Sequence, residues 1–261
     1  MTALSVNLNK IALLRNSREG QRPSVIEFAR KAIAAGASGI TVHPRPDQRH
    51  IRASDVPELA TLLQQDYPDI EFNIEGNPEA AATSDGYPGL IELVTAAQPA
   101  QATLVPDSDD QLTSDHGWDL SQEQPRLRKH IAQCKRAGAR VSLFMDPVIE
   151  QMSAAADHGA DRVEFYTGPY AQTFWQYGPD DARTQDCYRQ FAEAAEAALK
   201  AGLGINAGHD LDQQNLPLFA DLPGLAEVSI GHAIICEALT NSFSDTVAAY
   251  VAILDNATRI A

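Results

Sequence analysis

Polar residues gather at the ends of short apolar, β-branched runs in this chain. His43 and Arg45 close GITVHPR, Asn73 and Glu75 close IEFNIE, and Glu164 stands within RVEFY. Asn7 and Asn9 end ALSVNLN, Asn206 and His209 follow LGI, and Gly231 and His232 follow AEVSI. Residues two apart share one side of a strand, so Asn73 and Glu75 point the same way. A carboxylate inside an apolar strand is costly unless it is paired or hydrogen-bonded. Histidine is the side chain that changes charge near neutral pH. Together these groups spell proton transfer. Each alone has a plainer explanation. A single histidine at a strand end is more often structural, Glu164 could face a helix and pair with Arg162, and Asn7 and Asn206 could form turns. Asp146 in FMDP could simply cap the next helix. What favours chemistry is convergence on one face.

A second set of residues reads as anion-binding. Arg15 and Arg18 occupy the first connection, and PRPDQRHI (44–51) supplies Arg45, Arg49 and His50. Gly231-His232 leads straight into a helical pattern, whose free amides suit phosphate. NAGHD (206–210) adds a glycine turn nearby. Arg49 and Arg52 read as solvent-exposed. Lys10 is the one lysine at a strand end that could form a Schiff base. No serine nucleophile elbow and no HExxH pair is present. His43, Glu75, Asp146 and His209 could in principle hold a metal, but no local ligand spacing marks them.

The elements that must position these groups can be read from periodicity. Strands are expected at 3–8, 39–43, 70–75, 102–105, 140–145, 162–166, 203–206 and 226–230. Helical patterns lie between them at 23–36, 53–65, 125–138 and 180–202, and several helices end in glycine just before a strand. Eight alternations over about 250 residues predict an α/β fold, a (β/α)8 TIM barrel with extra helices, as a single domain over 1–261. The alternative is an open doubly wound sheet, although no glycine-rich phosphate fingerprint follows the first strand. Long segments at 106–121 and 167–182 read as loops after strand ends, where barrels place their sites.

Composition narrows the partners. With 44% hydrophobic and 21% charged residues, the 261-residue chain is globular in character. Its net charge of −15 argues against nucleic acid or an anionic membrane as partner. Residues 1–52 nevertheless carry nine Lys or Arg against three acids, a local +6 that leaves −21 for the remainder of the chain. That asymmetry suits a small anionic ligand better than a polymeric one, although composition alone favours a plain scatter of solvated arginines. Cys134, Cys187 and Cys236 are dispersed, as reduced thiols would be. The N-terminus lacks a signal-like start, so the expected location is cytoplasmic.

The segments SVNLNKIALLRNSR (5–18), GITVHPRPDQRHI (39–51), NIEGN (73–77), VSLFMD (141–146), VEFYTGPYA (163–171), INAGHDL (205–211) and VSIGHAII (228–235) jointly resemble the pyridoxine 5'-phosphate synthase family of the deoxyxylulose-phosphate-dependent vitamin B6 pathway. The resemblance runs in order over almost the whole chain. It implies a transferase-class barrel that condenses 3-amino-2-oxopropyl phosphate with 1-deoxy-D-xylulose 5-phosphate. The products would be pyridoxine 5'-phosphate, phosphate and water. It implies no metal and no organic cofactor, and a homo-octamer built from dimers. By matching motif, His43 would accept a proton, Glu75 would act as a second acid/base, His209 would donate a proton and Glu164 would stabilise transition states. Asn7, Arg18, Asp210, Gly231 and His232 would hold the aminoketone phosphate. Arg45, His50 and Thr113 would hold the deoxyxylulose phosphate, with Asn9 and Lys10 beside it. Those last two depart from the common family pattern, which has Asp and His there.

Two other classes compete with this reading. One is a barrel epimerase or isomerase with a divalent metal on His43, Glu75 and His209. The other is a phosphosugar-binding protein without catalysis, which leaves a full acid/base set unexplained.

Overall fold

Eight β-branched runs pair in parallel, each with the next, and the eighth returns to the first to close a barrel. The computed structural model describes residues 2–260. In chain order they form β1 (Ala3–Asn7), α1 (Asn9–Asn16), α2 (Val25–Ala34), β2 (Gly39–Val42), α3 (Asp55–Asp66), β3 (Glu71–Gly76), α4 (Leu90–Ala97), β4 (Gln101–Leu104), α5 (Pro125–Arg136) and β5 (Arg140–Met145). There follow α6 (Ile149–Asp157), β6 (Arg162–Phe165), α7 (Gly168–Tyr177), α8 (Ala182–Lys200), β7 (Gly204–Ala207), α9 (Leu216–Phe219), β8 (Leu225–Ile230), α10 (His232–Ala238) and α11 (Phe243–Ile260). The open-sheet alternative falls because β8 pairs with β1, Ala3 opposite Glu227 and Val6 opposite Ile230, leaving no edge.

Local signals start and stop the helices. The Ser24 side chain accepts from the Glu27 amide at 3.2 Å, a serine N-cap for α2. Gly36, with φ at 103°, ends the same unit in a conformation that side-chain-bearing residues avoid. Two connections differ from expectation. The stretch read as an aromatic loop at 167–182 contains α7, with proline in its first turn and Gly178 at its end. Proline is compatible with a first turn, and burial of Tyr170 and Phe174 offsets the modest helix propensity of aromatic residues. The first connection is also helical. Arg15 lies in α1, buried, with its guanidinium forked onto Asp55 at 2.6 and 2.9 Å. It holds α1 to α3 and has no spare donor face for a phosphate.

The strands separate two interiors. Leu4, Val6, Ile40, Ile74 and Val141 face outward and are buried under the helices. Each such side chain contributes about 1.5–3 kcal/mol. The alternate residues face the bore and are polar, where barrels of this type normally carry branched aliphatics. Ser5 and Thr41 hydroxyls lie 2.6 Å apart, Asn73 Nδ2 donates to Thr41 at 3.3 Å, and Thr103 Oγ1 donates to Asn73 Oδ1 at 3.1 Å. A polar bore is tolerable because most of its members satisfy one another; the Ser142 hydroxyl is an exception. The three cysteines are free. Among the described residues no helix is long and apolar enough to cross a membrane.

Candidate active site

The C-terminal ends of the strands surround a cavity of about 370 Å³. Residues predicted from sequence line it together: His43 and Arg45 after β2, Glu75 from β3, Glu164 from β6, and His209 after β7. Asn7, Asn9, Lys10, His50, Thr113, Asp210, Gly231 and His232 complete this set. Arg18 is the exception; it is exposed in the segment after α1 and does not line the cavity.

The two asparagines of the first strand end act as braces. Asn7 Oδ1 accepts from the Asn9 amide at 2.9 Å, and Asn7 Nδ2 donates to Glu75 Oε2 at 3.3 Å. Asn9 Oδ1 accepts from the His43 amide at 2.9 Å, so it fixes the backbone that carries the first histidine. Lys10 is half-buried on the rim, and among the described residues no acid pairs with it.

Burial and neighbouring cations keep two histidines neutral. His43 is pushed well below the ordinary imidazole range by burial first, and then by Arg45, His50 and Arg49. His50 falls to about 3 for the same reasons, with Lys10 adding to Arg45 and Arg49. Its Nδ1 accepts from the Ile51 amide at 2.9 Å, which leaves the ring proton on Nε2 as a donor. The two rings stand edge to face with centroids 6.2 Å apart.

The carboxyls move the opposite way. Burial raises Glu75 to about 8, and the charges of Glu227 and Asp107 push in the same direction. Glu164 rises well above the usual carboxylate range, through burial first and then Glu75 and Glu227. Near neutral pH the site therefore pairs an unprotonated imidazole with protonated carboxyls, a base and acids held side by side.

His209 is placed by its surroundings. Its Nε2 lies 3.0 Å from Thr113 Oγ1, and its ring meets Tyr166 and Phe144 at 5.3 and 6.3 Å between centroids. Its Nδ1 is 3.1 Å from Asp210 Oδ2. That proximity holds the Asp210 carboxyl below its usual range. A Cβ on Gly208 would sit 2.0 Å from the Ser229 carbonyl oxygen, so only glycine lets this turn cross β8.

The loop at 106–121 folds over the rim. Arg45 pairs with Asp107 and donates to the Gln111 carbonyl at 3.0 Å. Ser114 Oγ donates to Asp107 at 2.8 Å, and Trp118 Nε1 donates to the Leu104 carbonyl at 2.9 Å. Arg49 is not simply solvated; it donates to the carbonyls of Asp109 and Gln111 and helps close the same loop. Nor does Asp146 cap α6. Its Oδ2 accepts from the Gly117 amide at 3.2 Å and ties the loop to β5. Asp107, Thr103, Phe144 and Ser229 escaped the sequence reading. Alternation in β4 and β8, with Gln101 and Thr103 or Glu227 and Ser229 two apart, was the available signal. Nothing local marks Asp107.

Among the described residues no group of three His, Cys, Asp or Glu side chains converges as metal ligands. Fold and cavity together define a (β/α)8 barrel with acid/base groups and a cationic rim at the strand ends. The chain belongs to the family described as pyridoxal phosphate biosynthesis protein PdxJ, whose pattern matches residues 4–256. It is 56% identical to pyridoxine 5'-phosphate synthase of Xanthomonas campestris pv. campestris, over 97% of this chain and 96% of that one. Against the Xylella fastidiosa protein of the same name the identity is 52%, over 98% and 95%. Solved structures share the fold alone. Thiamine phosphate pyrophosphorylase from Pyrococcus furiosus superposes with a TM-score of 0.59 at 12% identity, covering 98% of this chain and 96% of that one. Phosphoribosyl anthranilate isomerase from Thermus thermophilus gives 0.56 at 13%, covering 98% and 99%.

Proposed function

We propose that this chain is a pyridoxine 5'-phosphate synthase. It would join 3-amino-2-oxopropyl phosphate to 1-deoxy-D-xylulose 5-phosphate, releasing phosphate and water. The observation that carries the reading is the meeting of neutral His43, proton-bearing Glu75 and Glu164, and His209 in one cavity beside Lys10, Arg45 and His50. Ring closure requires imine formation, dehydration, loss of phosphate and aromatisation, and every one of these steps moves protons. His43, kept unprotonated, accepts a proton from carbon or oxygen. Glu75 gives one up, and Glu164 offers a buried proton to developing negative charge. His209 donates to the leaving oxygen from the far wall. The amine belongs to a substrate, so Lys10 serves as a charge for a phosphate and not as an imine partner. The His50 Nε2–H and Arg45 join it there. Gly231 and His232, at the start of α10, and Asp210, through its backbone, belong to the second phosphate. The reading includes an octamer of dimers in the cytoplasm, with neither metal nor organic cofactor.

Three assays on the purified protein test it against the competing classes. His209→Asn is expected to lower product formation at least a thousandfold while phosphate-ester binding stays within about threefold. Wild-type turnover in that variant would remove the proton donor from the account. Activity is expected to survive exhaustive chelation; its loss, with recovery on adding a divalent metal, would favour the isomerase. Tight binding with no product from the wild type would favour a binding protein.

A further inference from the structure

Beneath the cavity the bore continues to the opposite end of the barrel, where a second cavity of about 210 Å³ is lined by Glu71, Arg162 and Glu227. Four acids alternate onto the inner face of the barrel between the two cavities: Glu71 and Glu75 from β3, Glu164 from β6 and Glu227 from β8. Two cations oppose them, Arg140 from β5 and Arg162 from β6. Glu71 and Arg140 neutralise each other at the solvated end; were Glu75, Glu164, Glu227 and Arg162 all ionised, the interior would hold two uncompensated negative charges, which is costly. Two protons must therefore reside there, and the geometry decides where.

At the base, each acid accepts from a guanidinium. Arg140 forks onto Glu71, with one contact at 3.2 Å. Arg162 Nη1 donates to Glu227 Oε2 at 3.2 Å, and Gln101 Nε2 donates to Glu227 Oε1 at 3.4 Å. A second contact from Arg140 reaches Glu227 at 3.9 Å. Gln101 is itself fixed, because its Oε1 accepts from Arg140 Nε at 3.0 Å and from Asn206 Nδ2 at 3.2 Å. A carboxyl that accepts from a guanidinium favours its ionised form. Glu227 is raised on balance, by burial first and also by Glu71, but Arg162 and Arg140 pull against that rise, and Arg140 holds Glu71 below its usual range.

At the rim the pattern reverses. Among the described residues no Lys or Arg pairs with Glu75 or Glu164. Glu75 has only neutral donors, the Asn7 amide and the Ser229 hydroxyl. Glu164 Oε2 lies 3.5 Å from Thr103 Oγ1, whose single proton has a closer acceptor in Asn73 at 3.1 Å. A proton on Glu164, directed at Thr103, resolves that contact. Register places Glu164 and Glu227 on either side of Asn206, whose Oδ1 accepts from Arg162 at 2.9 Å.

We propose that the basal pairs Arg140–Glu71 and Arg162–Glu227 sort the bore's protons onto Glu75 and Glu164, making Glu227 a positioning residue that keeps the rim acids charged with protons. It acts through space, from below, without touching substrate. The other charged or titratable groups around the bore are Asp69 at its base and Lys10, His43, Arg45, His50, Asp107, His209, Asp210 and His232 at its mouth. The inference rests on the proposed reaction only for its catalytic consequence.

The test is infrared spectroscopy of the full-length protein without substrates, following the carbonyl stretch of buried protonated carboxyls against pH. Wild type is expected to show that band at pH 7, reduced in Glu75→Gln and in Glu164→Gln. Glu227→Gln is expected to lower the pH at which the band vanishes by about half a unit or more, and Glu227→Asp to restore it. Absence of the band in wild type at pH 7 would overturn the proposal without any variant having to fold. An unshifted midpoint in folded Glu227→Gln would do the same. If turnover exists, its alkaline limb should move with the band while both KM values hold. A missing reaction with an intact band would instead defeat the functional reading alone.

Discussion

Glu75 shows how one residue is placed against the interests of the fold. Its carboxyl titrates at about 8 in the folded chain, against the ordinary 4.5 that an unfolded chain would show. The folded form therefore keeps a proton that the unfolded form releases. Stability from this group is full below pH 4.5, declines as pH rises towards 8, and is flat beyond. Glu75→Gln keeps the shape and removes the titration. It should stabilise the protein progressively between pH 5 and 8, reaching about 2 kcal/mol or more at the upper end after discounting for water in the cavity. Product formation should fall with it, the usual exchange of stability for activity. Urea denaturation at a series of pH values checks the first half, and a gain independent of pH would refute it. Glu75, His43, Glu164 and His209 were legible in the sequence because polar residues interrupt apolar strands. Asn9 was harder to read. Beside the phosphosugar by family likeness, it also carries the backbone of His43, a bond across 34 residues that spacing cannot show.

Among the elements, the loop at 106–121 carries the most consequence. Its closure depends on Arg45, which faces the cavity and is already paired with buried Asp107. The same guanidinium is the proposed anchor for the deoxyxylulose phosphate, so loop and ligand share one cation. Asp107→Asn removes the charge and retains most of the shape. It should speed proteolytic nicking within the loop about tenfold, the effect of about 1.4 kcal/mol of local opening. Equal nicking rates in the variant and the wild type would show that the pair does not hold the loop. The strands of the barrel were read to within one or two residues, because β-branched runs and helix-ending glycines are local signals. α1 and α7 were not. The first looks like an arginine-rich loop until Asp55, forty residues on, takes up Arg15. The second begins with Gly-Pro and is rich in aromatics, and its helix is secured by packing of Tyr170 and Phe174 that no local pattern encodes.

At the scale of the whole molecule, the strands divide an apolar jacket from a polar bore, and that division gives the site its electrostatics. Burial first, and then the cations gathered near the second strand end, keep His43 and His50 unprotonated, while burial and the acids confined to the bore keep Glu75 and Glu164 protonated. Acid and base coexist at one pH because the barrel holds them in different fields. The acidic overall composition obscured this. A net −15 hides a cationic first fifth of the chain, and the closed sheet brings that fifth over the other strand ends. The measurement that bears most directly on the account is turnover of the purified protein with both phosphorylated substrates, read by mass spectrometry and by phosphate release. The account predicts pyridoxine 5'-phosphate and inorganic phosphate in equal amounts, with neither formed when one substrate is omitted and the rate falling above about pH 8 as Glu75 loses its proton. No pyridoxine 5'-phosphate from a folded protein that binds both substrates would contradict it.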